Sequence, residues 1–402
     1  MFKYLKNKIT PGARALNVAP LFSVPLDDYK ATGERDAILA SSGMGKSYLT
    51  GVLMEETIEN NSLLCVIDPE GEHFTLAERY PMMIIGGEQA NLPLEEEAID
   101  LYVDTMLKMG LSAVFDLSEY IDDEQQHLYG LIADKIFQAE QKYRRKVRLV
   151  VEEAQIYAPQ KTMGGGVAKG KGKNAKMDPL VASQKIAKRG RKRAIDSLWA
   201  TQRPASLSKD ILSQCNRFWF GGITSELDYK AIRPFLNEAG ISFTEVKNLN
   251  PGEFFFYSKG YTKKIKVRKR HCKHAGATPE AGLTFSATKN ESMDKALSGL
   301  TEAIKQRASE KSKEDSEITQ LKSYISQLKK ENEKLLKELE QERMATKVIE
   351  RLHGVTPDVD IPEAGSKRKK RKKKDDDLTL ALIADKIAES QQKLHPTMIK
   401  LD

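Results

Sequence analysis

The chain has 402 residues, of which 40% are hydrophobic and 30% are charged, and its formal net charge is +8. This length suits one large domain with appended segments, and the positive charge favours an anionic partner without identifying it. No run approaches the length of about 18 apolar residues that a membrane span needs, and the first residues lack the apolar core of a secretory signal. Three scattered cysteines, Cys65, Cys215 and Cys272, cannot make a disulfide framework and suit a reducing cytoplasm.

The stretch AILASSGMGKSYLTG, residues 37–51, is typical of a loop that holds phosphates. It follows an apolar run typical of a buried strand, and it fits the pattern GxxxxGK[ST] except that Ala40 occupies the first glycine position. Backbone N–H groups of such a loop point at the phosphates of ATP, while Lys46 would reach the terminal phosphates and Ser47 would bind Mg²⁺. The alternative is a glycine turn before a helix. The predicted nucleotide-binding residues of the loop are Ser42, Gly43, Met44, Gly45, Lys46, Ser47 and Tyr48.

Apolar runs alternate with helical patterns along the next two hundred or so residues. The runs LLCVID, SAVFDLSEY, VRLVV, DSLWAT and RFWFGGI indicate buried strands, and GEFFFYSKGYTKKIKVRKR indicates a terminal hairpin. Strands that alternate with helices predict an α/β fold. We therefore expect a P-loop NTPase of the RecA-like type, with a mostly parallel sheet and helices on both faces, followed by a coiled-coil helix and a basic tail.

Polar side chains follow several of these strands where a parallel sheet places its ligands. Nucleotide hydrolysis needs one carboxylate near Mg²⁺ and another that orients or deprotonates the attacking water. Glu152 and Glu153 follow the third strand, and we assign Glu152 to the Mg²⁺ shell and Glu153 to the water. A pair of surface carboxylates is the alternative. Asp68 and Glu72 are further candidates at this edge, and Gln202 is suited to sense the γ-phosphate.

Five segments occur in the order seen in the HerA/FtsK superfamily: ASSGMGKS, VIDPEGEH, LVVEEAQIYAP, KRGRKRAIDSLWATQRPASLSKDILSQC and LNPGEFFFY. Together they most resemble the HerA-type branch of hexameric DNA translocases, over about residues 37–270. The resemblance implies an ATPase that uses ATP and Mg²⁺, assembles as a homo-oligomer, expected to be a hexamer, and acts on DNA. It also implies a cytoplasmic location, in a prokaryotic cell or a virus-infected host.

Residue by residue, the resemblance implies that Glu153 is the catalytic glutamate and Gln202 the strand-end sensor. Arg189 or Arg191 falls where the family carries an arginine that completes a neighbouring subunit's site, as arginine fingers do. A generic basic helix surface is the alternative for these arginines. Two departures stand out: Glu152 replaces a frequent Asp, and about 36 residues before the P-loop strand are too few for the β-barrel of cellular HerA proteins. The second departure argues against a nuclease partner.

Residues 161–193 carry about eleven basic side chains against one acid, Asp178, and include the glycine-rich stretch KTMGGGVAKGKGK. A flexible basic loop of this kind could grip the backbone of duplex DNA in a ring's channel without reading its sequence. A surface loop with no such role is the alternative. RHCKH, residues 270–274, lacks the second ligand pair of a structural zinc site, and we interpret it as a basic strand end.

The C-terminal part changes in composition and shows a heptad pattern. Ile318, Ile325, Asn332 and Leu339 fall at a, and Leu321, Leu328 and Leu335 fall at d. A lone Asn at a sets register and favours a parallel dimer, although one long solvated helix is the alternative. We therefore divide the chain into a lead-in (1–36), an ATPase domain (37–275), a linker (276–316), a coiled coil (317–353), a basic disordered linker (354–377), and a short helix and tail (378–402).

The basic linker contains eight consecutive Lys and Arg residues, 367–374, which could bind nucleic acid or only solubilise this end. The coiled coil or the C-terminal helix would bind a protein partner of unknown identity. The sequence thus predicts an ATP-driven ring that translocates DNA. A genome-packaging or DNA-transfer ATPase docked through the coiled coil, and an ATP-gated scaffold that moves no DNA, are the alternatives.

Overall fold

The structure, a computed structural model, describes residues 15–19, 22–25, 33–160, 178–275 and 291–352. The chain forms two compact units, one up to Ser312 and one from Lys313. The described strands of the first unit are β1 (Ala15–Ala19), β2 (Phe22–Pro25), β3 (Arg35–Leu39), β4 (Leu63–Asp68), β5 (Met82–Ile85), β6 (Ser112–Asp116), β7 (Val147–Val151), β8 (Ile195–Thr201), β9 (Arg217–Phe220), β10 (Glu253–Ser258) and β11 (Tyr261–Lys266).

The described helices are α1 (Lys46–Glu59), α2 (Ile99–Met109), α3 (Asp122–Tyr143), α4 (Pro179–Arg189), α5 (Lys209–Leu212), α6 (Glu226–Ala239), α7 (Phe243–Lys247) and α8 (Glu291–Leu352). Short 3₁₀ turns separate several of them, including one at Gly190–Arg193 that directly precedes β8. No described helix is both long enough and apolar enough to cross a membrane.

Nine strands form one sheet in the order β11-β10-β9-β3-β8-β7-β4-β6-β5, and β1 and β2 form a separate antiparallel pair. The seven strands from β9 to β5 run parallel, while β10 is antiparallel to both β9 and β11. The predicted α/β fold with a mostly parallel sheet is confirmed. The edge strand β5 is an addition that the sequence analysis did not predict.

Helices cover both faces of the sheet because its inner strands are apolar on both sides. Along β4, Leu64 and Val66 belong to the core cluster formed with α1, whereas Cys65 and Ile67 belong to the cluster formed with α2, α3 and α4. Every residue of β7 is buried. The sheet is therefore the rigid central layer on which the loops after its strands are mounted.

The register of the sheet brings the carboxyl ends of β3, β8, β7 and β4 together on one side of the molecule. Leu39 lies beside Thr201, and Val151 pairs with Trp199 on one side and Ile67 on the other. The residues that follow these four strands are the P-loop, Gln202, the Glu152–Glu153 pair and the turn after Asp68. Elements distant in sequence thus meet at the edge where open α/β sheets bind ligands.

Helix α8 begins at Glu291, inside the segment that we had expected to be a linker up to residue 316. Its first turns are helical because an apolar stripe packs on the first unit: Met293, Leu300 and Ile304 are at most 5% exposed. Farther along, the guanidinium of Arg307 donates to both carboxylate oxygens of Asp100, at 2.6 and 3.1 Å. Residues 291–316, which the sequence predicted to lie in a linker, are thus helical.

From Lys313 to Leu352 the helix continues through the segment predicted to form a coiled coil. Whether it pairs with another helix stays a prediction. Three further predicted features lie outside the described residues: the glycine- and lysine-rich loop at 161–177, the basic linker and the C-terminal helix and tail.

Candidate nucleotide-binding and catalytic site

The P-loop between β3 and α1 is held by backbone hydrogen bonds to two other loops. The N–H of Ser41 donates to the carbonyl of Gly222 at 2.8 Å, and the N–H of Gly252 donates to the carbonyl of Met44 at 3.0 Å. Gly45 has a φ of 88°, a left-handed conformation that glycine adopts without steric cost. A Cβ at Gly45 would also lie 3.2 Å from the backbone nitrogen of Gly252. The second glycine of the motif is therefore required by both conformation and close approach.

The start of α1 presents backbone donors that no described side chain caps. Gly45 is the N-cap residue, no side-chain hydrogen bond caps the helix, and its first turn contains no acid. The N–H groups of the first turn of a helix have no partner within the helix, and the helix dipole favours an anion there. The loop and helix start thus fit phosphate groups.

Lys46 lies between the two predicted catalytic glutamates. Its Nζ is 2.8 Å from Oε2 of Glu152 and 2.7 Å from Oε1 of Glu153, and all three side chains are buried. Burial alone would lower the pKa of Lys46, but the two carboxylates outweigh it and hold that pKa above its ordinary value. Burial likewise favours a raised pKa for Glu152, but Lys46 and His73 outweigh it and lower the pKa. Lys46 and Glu152 are thus held in their charged forms.

His73 is a member of this cluster that the sequence analysis did not single out. Its Nε2 lies 3.3 Å from Oε1 of Glu152, and its backbone N–H donates to Asp68 at 2.8 Å. Burial would lower the pKa of His73, but the charge of Asp68 and the contact with Glu152 outweigh it and raise that pKa. The His73 position could have been noticed from the sequence, since it directly follows Glu72 in the DPEGEH motif.

Glu153 adopts a left-handed conformation, with a φ of 44°. Its other oxygen, Oε2, accepts a hydrogen bond from Nε2 of Gln155 at 2.7 Å, and Oε1 of Gln155 accepts one from the hydroxyl of Thr201 at 2.5 Å. Gln202, the next residue, is half-buried. This chain of contacts links the glutamate after β7 to the residues at the end of β8, next to the P-loop strand.

These groups enclose one cavity of about 500 Å³. The structure brings together there eleven of the predicted residues: Ser42, Gly43, Gly45, Lys46, Ser47, Tyr48, Asp68, Glu72, Glu152, Glu153 and Gln202. Ser41, Glu70, His73 and His274 line it as well. Met44 does not line it, because its side chain packs on the backbone of Gly222, where a Cβ would come within 2.3 Å of Met44 Cε. A contact of the Met44 backbone with nucleotide stays a prediction.

Residues 22–92, which include the P-loop and the DPEGEH motif, match the family model described as Helicase HerA, central domain. This part of the chain is thus similar to the central domain of HerA helicases. The HerA/FtsK resemblance identified in the sequence is thereby confirmed. No curated protein matches this chain.

Several solved structures are similar to the chain at low identity. The genome packaging NTPase B204 from Sulfolobus turreted icosahedral virus 2, in complex with ATP-gammaS, is 14% identical, with 58% of this chain and 97% of that chain covered and a TM-score of 0.41. VirB4 of Thermoanaerobacter pseudethanolicus is 16% identical, with coverage of 65% and 98% and a TM-score of 0.46. The bacterial conjugative coupling protein TrwBdeltaN70 is 10% identical, with coverage of 67% and 92% and a TM-score of 0.45.

The donor set of this cavity fits Mg²⁺. Ser47 supplies a hydroxyl in the first turn of α1, and Glu152 and Glu153 supply carboxylates that line the same cavity. Mg²⁺ prefers oxygen ligands and is commonly held by one or two carboxylates together with substrate phosphates. Ser47 and Glu152 are thus suited to hold the ion beside bound phosphates.

The segment after β11 returns along α1 and reaches the same cavity. The carboxylate of Glu55, fully buried in α1, accepts N–H bonds from His271 and Cys272 at 2.9 Å and pairs with the guanidinium of Arg268 at 2.8 Å. Nη1 of Arg270 then lies 3.2 Å from Nδ1 of His274, which lines the cavity. We call residues 268–274 the return segment. No local sequence signal could have placed it here, because its partner is more than 200 residues away.

Arg189 and Arg191 do not reach the nucleotide cavity of their own chain. They lie before the amino end of β8, whereas the cavity lies at its carboxyl end. The seven residues of that strand span about 20 Å. There they line a second cavity of about 500 Å³ together with Phe137, Glu140 and Arg193. The predicted action of Arg189 or Arg191 on a neighbouring subunit's site stays a prediction.

Proposed function

We propose that this chain is a Mg²⁺-dependent ATPase that moves duplex DNA through a ring of its own copies. The observation that carries the proposal is the single cavity in which uncapped N–H groups of a P-loop face two buried carboxylates from another strand. Phosphate binding alone would need only the loop, whereas hydrolysis also needs a carboxylate near the attacking water. Both parts lie on rigid elements of the sheet.

Each side chain has a proposed task in this reaction. Lys46 neutralises the terminal phosphates, and Ser47 and Glu152 hold Mg²⁺, which supplies charge neutralisation at the phosphates when bound. Glu153 orients and deprotonates the attacking water, while Gln155 fixes the carboxylate of Glu153 through the 2.7 Å hydrogen bond. A base held in one orientation reacts more readily because it has less freedom to lose.

Three further parts complete the proposal. Gln202, at the rim of the cavity, contacts the γ-phosphate, and Asp68 and Glu72 shape the wall opposite the P-loop. Arg189 or Arg191 of one subunit offsets the charge that develops on the phosphate in the next. The basic stretch 161–193 grips the phosphate backbone of DNA without reading its sequence.

A second candidate is a motor that packages or transfers DNA while docked on another complex. The exposed apolar side chains of α8, such as Leu321 and Leu335, favour a helical partner. The two candidates share the ATPase reaction and differ in what α8 binds. Capture of a portal or membrane complex through α8, lost on mutation of its apolar residues, would favour the second.

The test is ATP turnover by the full chain with and without linear duplex DNA, beside Lys46→Ala and Glu153→Gln. The matched controls are Lys230→Ala and Glu226→Gln, an exposed ion pair on α6 outside the cavity. We expect DNA to stimulate turnover several-fold, and both site variants to lose at least 100-fold while the controls keep their rates. If DNA does not change the rate of ATP turnover, the translocase proposal is wrong and an ATP-gated scaffold is favoured. Unchanged turnover in Glu153→Gln would refute the assigned catalytic role.

A further inference from the structure

Helix α8 carries one apolar stripe that is used in two different ways. In the seven-residue register of Ile318 and Leu321, the residues Leu297, Leu300 and Ile304 also fall at a and d. Leu300 and Ile304 are buried on the first unit, and Leu297 packs against the same core. One helix face thus continues along α8, as a sustained heptad pattern produces.

The stripe changes at residues 307–314. Arg307 and Lys311 occupy the next d and a positions, and they pair with Asp100 and Glu97 of the first unit. Beyond them the apolar a and d residues are not covered by any described part of the chain. Their exposed fractions lie between 42% and 59%, as found for Ile318, Leu321, Ile325, Leu328, Leu335 and Leu339.

We infer that residues 317–343 of α8 pair with the same segment of a second copy of this chain, as a parallel, in-register, two-stranded coiled coil. The residue types at the core positions favour this number of strands. Ile at a with Leu at d favours two-stranded coiled coils, and here Ile318 and Ile325 are followed by Leu321 and Leu328.

Charge selects a second copy and the parallel direction. In a parallel pair, each g residue faces the e residue five positions later on the partner, so Glu317 faces Lys322 and Glu338 faces Arg343. In an antiparallel pair, g faces g and e faces e, which would place Glu against Glu and Lys against Lys. The helix is thus complementary to itself in only one direction.

Asn332 selects the register. When two copies are parallel and aligned, the Asn332 amides face each other at a and can donate and accept one hydrogen bond between them. A parallel slip by one heptad sets the Asn332 amide against Ile325 or Leu339, and an antiparallel arrangement sets it against a Leu at d. An unpaired buried polar group is destabilising, so the aligned pair is favoured.

The test is disulfide cross-linking of the full chain without nucleotide. In the proposed pair the two copies of d residue 335 touch, so Leu335→Cys under mild oxidation should give a dimer band on a non-reducing gel. Lys334→Cys, at the outward c position, is the matched control. Two of the native cysteines, Cys65 and Cys272, are buried. Oxidation of the wild-type chain measures how much cross-linking all three native cysteines give. A Leu335→Cys yield no higher than that of Lys334→Cys would overturn the proposal.

Two further variants in the Leu335→Cys background separate core packing from charge. Leu328→Glu should lower the dimer yield at least tenfold, whereas Gln327→Glu introduces the same charge at c and should leave it unchanged. Glu338→Lys should lower the yield, and adding Arg343→Glu should restore it, because the swap rebuilds each g–e pair. Equal effects of the 327 and 328 substitutions, or failure of the double swap to restore the yield, would overturn this arrangement. None of these readouts requires ATP turnover.

Discussion

Lys46 and Glu152 form a buried ion pair across the nucleotide cavity, with Nζ and Oε2 2.8 Å apart. The same ammonium lies 2.7 Å from Glu153, so one cation balances two carboxylates, and all three side chains are less than 10% exposed. A buried pair of this kind adds little over apolar side chains, but removal of one partner leaves an uncompensated charge. The stability of this corner of the sheet should therefore respond strongly to changes at Lys46.

We expect Lys46→Met to lower the free energy of unfolding at pH 7 by about 3 kcal/mol, because two buried carboxylates lose their cation. The folded-state pKa of Glu152 is depressed, so its contribution is present above the unfolded value of about 4.3 and is lost as pH falls toward the folded value. The loss caused by Lys46→Met should accordingly shrink below about pH 4. Urea denaturation of the wild-type chain and Lys46→Met at pH 7 and pH 3.5 measures the loss of stability and its dependence on pH. The exposed Lys230→Ala is the control. An equal loss at both pH values would contradict this account.

The left-handed backbone of Glu153 is destabilising, and it occurs at the residue that supplies the proposed base. A left-handed backbone costs a residue with a Cβ about 1–2 kcal/mol, and glycine avoids that cost. We expect Glu153→Gly to be more stable than Glu153→Gln by about 1 kcal/mol, since both variants lose the same charge and only one relieves the backbone. Thermal or urea unfolding of the two variants measures the difference. As a control, Glu152→Gly should be less stable than Glu152→Gln, because Glu152 is not among the residues with positive φ.

The return segment should couple protein stability to nucleotide binding through Glu55. Glu55→Ala removes the acceptor of two backbone N–H groups and one partner of Arg268, and we expect a loss of about 3 kcal/mol. Because the same segment carries His274 into the cavity, the affinity for ATP should fall as well. Glu78→Ala breaks the exposed contact with Lys273 instead and should cost below about 1 kcal/mol. Denaturation and equilibrium binding of a fluorescent ATP analogue test the two effects. Unchanged binding in a folded Glu55→Ala protein would show that the segment only supports the fold.

The sequence predicted the strands that end in functional residues because their apolar runs are long and their exits are polar. Val147–Val151 and the position of Glu152 after it are as expected. Strand β5 was missed because Met82–Ile85 is only four residues long. The sequence did not predict the start of α8, because residues 291–316 are mostly polar. Their apolar residues occur only at every third or fourth position.

The site was predictable where a motif is contiguous and unpredictable where it is assembled from distant loops. The P-loop residues and the Glu pair belong to local patterns, and the fold brings them together by strand order. His274 reaches the cavity because the return segment contacts α1, and local sequence periodicity does not predict these contacts. Met44 fits the motif but faces the other way, because the missing side chain of Gly222 leaves the space that its thioether fills. Sequence motifs thus predicted which residues meet in the cavity, while the direction of each side chain depends on three-dimensional packing.

Glu140, on α3, offers a pH test at the other edge of the sheet. Its side chain is fully buried, and burial outweighs the backbone N–H and the charge of Arg145 and raises its pKa to about 8. An unfolded Glu ionises near pH 4.3, so between about pH 4.3 and 8 the folded chain keeps a proton that the unfolded chain has lost. The contribution of Glu140 to the free energy of unfolding should therefore fall as pH rises through this window.

We expect Glu140→Gln to be more stable than the wild-type chain at pH 8.5, with the advantage shrinking steadily toward pH 4.5. Urea denaturation at several pH values across this window measures the slope. Asp104→Asn, at an exposed position in the middle of α2, is the control and should change little at any of them. The cavity beside Glu140 is also lined by Arg189 and Arg191, so an ionised Glu140 would weaken the positive potential there. A pH-independent difference between Glu140→Gln and wild type would mean that the carboxylate is already ionised in the folded chain, held so by the surrounding arginines.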